Sequence, residues 1–120
     1  MSVQISVPGV LQPPTSLRPT TTNVTDILSI ASGGASRTVI GVIVANESGS
    51  ARLSSVWWHD GTTDFLIFQR SVPANETVTE ALALPIQLNA KAAAKKIKVQ
   101  AAAADVVTFT LITTQLSQGS

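Results

Sequence analysis

The chain has 120 residues, a formal net charge of +1 and only 12% charged side chains. That length predicts one domain, able to bury a core without covalent staples. With no cysteine and one histidine, His59, it excludes disulfide frameworks, thiolate nucleophiles, cysteine-ligated zinc and a multi-histidine metal site in one chain; the near-neutral charge argues against an electrostatic nucleic-acid binder. Serine and threonine number 27 and tyrosine is absent. This charge-poor profile suits a small domain that gives its surface to protein contacts. The start, Met1-Ser2-Val3-Gln4-Ile5, has neither the basic region nor the apolar stretch of a signal peptide. The longest apolar run, Val39 to Ala45, is far short of the ~18 residues that span a bilayer. A soluble protein made in a cytoplasm is expected, with no membrane partner.

Residues 1–22 carry Pro8, Pro13, Pro14 and Pro19. Proline fixes φ and removes a ladder donor, so the segment reads as an extended arm. Val3, Ile5 and Val7 alternate and could add a strand to a partner or to the domain's own edge; Val10, Leu11 and Leu17 are further apolar docking points. From residue 24 the period is two. Val24 to Ile30 reads as a strand, and Ser32-Gly33-Gly34-Ala35 as a turn. Val39 to Ala45 is apolar on both faces, the mark of a central or covered strand. Asn46 to Ser50 reads as a hairpin loop, Arg52 to His59 as a strand, and Asp60-Gly61 as a tight hairpin turn. Phe65-Leu66-Ile67-Phe68 is again apolar on both faces. After a break at Pro73-Ala74-Asn75-Glu76, residues 82–88 alternate around Pro85, which places that strand at an edge or a bulge. Ile97, Val99 and Ala101 alternate, as do Val107, Phe109 and Leu111. Ala90 to Lys96 has high helix propensity behind Asn89, but Ile97 and Val99 sit two apart. A helical turn over 90–95 followed by a strand is therefore expected, with a helix to Ala104 as the alternative. Strands every 8–12 residues predict an all-β fold, an antiparallel β-sandwich of about seven or eight strands. The expected layout is the arm at 1–22, the sandwich at 23–117 and a tail at 118–120.

No catalytic constellation stands out. Ser54, Ser55 and His59 share a strand but lack a G-x-S-x-G elbow. Asp60 and Asp64 lack calcium-loop spacing. Glu47, Glu76 and Glu80 read as solvated loop-edge residues rather than a glycosidase pair. No phosphate-binding glycine motif occurs, and Lys91, Lys95, Lys96 and Lys98 read as a solvated face or as edge-strand lysines. Asn23, Asn46 and Asn75 open glycosylation-like triplets that turn chemistry explains better. No catalytic residue, metal or cofactor is assigned. Trp57 and Trp58 are adjacent, so one points to each face of its strand. One enters the core and the other is a protein-contact anchor, a second buried cover or a sugar platform.

The segments Ile27–Ile30, Thr38–Asn46, Ser50–Ser54, Asp64–Ile67, Val72–Thr77, Leu82–Leu84 and Ile97–Ala101, with the turns Val44–Arg52 (VANESGSAR) and Pro73–Val78 (PANETV), resemble small β-sandwich structural proteins on the virions of tailed bacteriophages. The resemblance covers roughly residues 17–116. Where that family has a glycine before its penultimate strand, this chain has Asn89-Ala90-Lys91. It implies a non-enzymatic virion component, made in a host bacterial cytoplasm, that decorates or cements the capsid or sits at the head–tail region. Partners would be capsid, neck or tail proteins. Residues 39–45 and 65–68, apolar on both faces, independently predict a homo-oligomer, a symmetric trimer, or an obligate complex with a larger virion protein. The expected contact residues are Val3, Ile5, Val7, Val10, Leu11, Leu17, Trp58 and Phe68. The alternative is a carbohydrate-binding module using Trp57 or Trp58.

Overall fold

The computed structural model describes residues 10–30, 37–88 and 95–115. Among them are β1 (Val10–Leu11), β2 (Thr15–Leu17), β3 (Thr25–Ile30), β4 (Arg37–Asn46), β5 (Arg52–His59), β6 (Asp64–Val72), β7 (Thr77–Leu88), β8 (Lys95–Ala101) and β9 (Val107–Gln115). The expected turn at residues 32–35, the first part of the helical turn at 90–95, the arm residues Val3, Ile5 and Val7 and the tail at 118–120 lie outside the described residues.

Two antiparallel sheets form. Sheet A runs β1-β9-β4-β7, with β2 also paired to β9, and sheet B runs β3-β8-β5-β6. β1 and β2 meet β9 in nearly one register, Leu11 opposite Thr114 and Thr15 opposite Leu111. They are one edge strand interrupted at Pro13-Pro14, where two residues have no N–H to give. Counted so, each sheet has four strands and mixes early with late parts of the chain. This is the strand order of a jelly roll. The second half of the expected arm is thus an edge strand of the sandwich. Leu17 packs on the core, Pro19 is buried, and the Asp105 N–H donates to the Pro19 carbonyl at 2.8 Å.

The core lies between the sheets. Val39, Val42, Val44, Leu88, Val107, Phe109 and Leu111 come from sheet A, and Ile30, Val56, Phe68, Val72, Ile97, Val99 and Ala101 from sheet B. Val39, Val42 and Val44 break the period of two because of a bulge: Val39 faces Thr113 and Gly41 faces Ile112, leaving Ile40 unmatched. Pro85 lies on β7, an edge strand, inside a stretch where the register to β4 jumps from Ile86 to Ala81.

Residues 95–101 form the expected strand and not the alternative helix, because alternation of Ile97, Val99 and Ala101 into the core outweighs propensity. Two sequence expectations are corrected. β8 lies between β3 and β5, so its lysines are not on an edge. Asn46 to Ser50 does not close a hairpin, since β4 and β5 belong to different sheets. The side chain of Asn46 holds that crossover. Its Nδ2 donates to the carbonyls of Ser50 (2.9 Å), Val72 (2.9 Å) and Pro73 (3.2 Å). Its Oδ1 accepts from Ser48 N and Oγ at 2.9 and 2.8 Å. One buried amide thereby joins the end of sheet A to the end of β6 in sheet B.

Candidate functional site

The edges of the sandwich are unequal. β2 packs against β3 and β4 against β6, so β1, β2 and β3 lie on one side, β6 and β7 on the other. Open strand edges offer unpaired backbone groups, and proteins guard them with proline, bulges or charge. β1–β2 carries Pro13-Pro14, β7 carries Pro85, and β3 is short, carries Asp26 and is bulged next to it. β6 has nine residues, and its charged side chains, Asp64 and Arg70, lie toward its ends. Between them Phe65 and Leu66 are 45% and 50% exposed. On the opposite side, Val10 and Leu11 are 58% and 64% exposed.

The contact residues expected from sequence divide as follows. Val10 and Leu11 are on the surface. Leu17 is half-buried against the core. Phe68, at 7% exposure, is inside the sandwich, so it has no surface to give to a partner. Trp58 turns inward with Val56 and packs on the core, its ring stacked on Phe65 at a centroid distance of 5.5 Å. The outward tryptophan is Trp57, opposite Leu66 and Lys98. The faces are set by another bulge: Val56 pairs with Phe68 and Trp57 with Leu66, so Ile67 is the extra residue. The exposure of Phe65 and Leu66 was not singled out from the sequence, although the run containing them reads as two-faced.

The polar groups form structural pairs. Asp60 accepts from Thr62 N (3.0 Å) and Thr63 N (2.8 Å) across the β5–β6 turn, and these backbone bonds hold its carboxyl below the usual range. His59 Nδ1 bonds Asp64 Oδ1 at 2.7 Å, which lowers the Asp64 pKa, with Lys98 Nζ 3.1 Å from the same oxygen. Lys96 pairs with Asp26 at 3.0 Å, and Arg18 with Glu47. His59 makes no hydrogen bond to Ser54 or Ser55, whose partners are Arg52 and Gln69. Among the described residues no three histidine, cysteine or acidic side chains gather as a metal site. Asn75 (φ 57°) supplies a left-handed turn position, and Asn46 the crossover bonds.

No family model and no curated protein matches the chain. Among solved structures, two crystal structures of a pentameric capsid protein isolated from metagenomic phage sequences align over 85% of the chain, at 13% identity and a TM-score of 0.48. The T13 particle of IBDV aligns over 90% of it, at 14% identity and a TM-score of 0.44. The chain spans 60% and 59% of the two phage-derived chains and 30% of the IBDV chain. The fold assignment rests on the chain's own strand order and register.

Proposed function

We propose that the chain is a non-enzymatic structural subunit of a virion, decorating or cementing a capsid or attached at the head–tail region. It is made in a host bacterial cytoplasm and held in the particle by its lateral edges. The observation that carries this reading is β6: nine residues of open edge bearing two exposed large apolar side chains. Left bare, such an edge templates uncontrolled pairing. Covered by a neighbour, it contributes main-chain hydrogen bonds and apolar burial at about 25 cal/mol per Å². The second exposed pair, Val10 and Leu11, lies on the opposite side. Two unlike edges on opposite sides favour a head-to-tail contact between copies, which closes into a ring when the rotation permits. Val3, Ile5 and Val7 of the arm belong to the same proposal as contacts to a neighbouring virion protein. The sequence resemblance to tailed-phage structural proteins supports the setting.

The test is the mass of the purified chain by sedimentation, beside variants Leu66→Lys and Leu11→Lys. A multimer that either variant reduces to monomers, with the melting temperature preserved, supports the reading. A wild-type monomer at all concentrations, or a multimer indifferent to both changes, contradicts it.

A further inference from the structure

The outer face of sheet B holds a groove that neither the core nor the edges use. It is a half-open depression of about 300 Å³ lined by Thr22, Leu53, Ser55, Gln100, Ala101 and Ala102, the lower end of small-ligand sites. Its floor is built. Ser55 is only 3% exposed although it faces outward, and its hydroxyl accepts from Gln69 Nε2 at 3.0 Å. Gln100, the cross-strand partner of Ser55, donates from Nε2 to the Thr22 carbonyl at 2.9 Å and so fixes the β2–β3 loop as one wall. These bonds fix both side chains and use neither the Ser55 hydroxyl hydrogen nor the Gln100 carboxamide oxygen. One donor and one acceptor on cross-strand neighbours are therefore left over by these bonds. Thr22 stands at the wall, and Leu53 and Ala102 supply apolar side chains, whereas the Ala101 side chain faces the core.

No lining residue is charged. The nearest cations on that face, Lys96 and Lys98, are paired with Asp26 and Asp64. The groove also lies over β5 and β8, interior strands with no free backbone edge, so an extended peptide gains no main-chain ladder there. A ligand with a rim of hydroxyls and an apolar C–H face fits both kinds of surface. Trp57 lies two residues along β5 from Ser55 on the same face, about 7 Å away, and offers its indole to the next unit of a chain.

We propose that this groove binds one neutral hexose ring of a glycan, through the Ser55 hydroxyl and the Gln100 carboxamide. The proposal is independent of the edge-contact reading, because the groove and the edges are different surfaces.

The experiment is an NMR titration of the full isotopically labelled chain with glucose, galactose, mannose and N-acetylglucosamine, each in the millimolar range, and with tetra-alanine as a peptide probe. The expected result is a saturable shift with at least one sugar, confined to the amides of Ser55, Gln100 and Ala102 and the Trp57 indole. Ser55→Ala should weaken it by about tenfold. Ala102→Trp, at an exposed loop position that fills the mouth, should abolish it without lowering the melting temperature. Shifts that survive Ala102→Trp, shifts with tetra-alanine alone, or none with any of the four sugars would overturn the proposal.

Discussion

At Asn46 a single amide makes five hydrogen bonds at the crossing from sheet A to sheet B. Asn46→Ala removes the side-chain donor to the Val72 and Pro73 carbonyls and the acceptor of the Ser48 N–H, leaving Ser48 Oγ only its bond to the Ser50 carbonyl. A loss on the order of 3 kcal/mol is expected by denaturant titration. Asn46→Asp should be similarly costly, because the new oxygen cannot donate to the carbonyls. Trp58 provides the opposite case. Its Nε1 is buried without a partner among the described residues. Trp58→Ala should cost about 3–5 kcal/mol, whereas Trp58→Phe removes the unsatisfied N–H along with some volume and should cost under about 1.5 kcal/mol. The acid response belongs to Asp60 and Asp64, whose pKa values are lowered in the folded chain. A depressed carboxylate stabilises fully above its unfolded pKa, near about 4, and that stabilisation is lost as pH falls through the folded value. The β5–β6 turn should therefore loosen below about pH 4, seen as a drop in the amide protection factors of Thr62 and Thr63 relative to the intrinsic exchange rate at each pH. Asp60→Asn should flatten that pH dependence.

Among the elements, β1 and β2 show where sequence and structure part. Four prolines made residues 1–22 read as an arm, yet Thr15 to Leu17 pair with β9 and Leu17 reaches the core. Removal of residues 1–9 spares every described pair and should leave the melting temperature unchanged. Removal of residues 1–19 strips the edge of β9 and should lower it markedly, measured side by side by calorimetry. The strands themselves were legible because alternation is local, and so was the Asp60-Gly61 hairpin, whose turn chemistry lies within four residues. Asn46 to Ser50 has equally good turn residues, but turn chemistry does not say which sheet the next strand enters. The exposed apolar pair on β6 was hidden by one extra residue, Ile67, which reverses the faces on either side of it. The groove on sheet B was illegible for a different reason. Thr22, Ser55 and Gln100 are far apart in sequence and are joined only by the pairing of β5 with β8 and the Gln100–Thr22 bond.

For the whole molecule, the order β1/β2-β9-β4-β7 against β3-β8-β5-β6 places a proline-broken edge on one side and an open, partly apolar edge on the other. A fold of this order serves many functions; in the proposed reading the unguarded β6 edge is the contact surface. The most direct measurement is electron cryomicroscopy of virions shown by mass spectrometry to contain the chain. The edge-contact reading predicts the jelly roll in symmetry-related copies, with Phe65 and Leu66 of each copy covered by a neighbour. Density in which β6 faces solvent while the particle contact runs through the outer face of sheet B would contradict it, as would particles in which the chain occupies no ordered position.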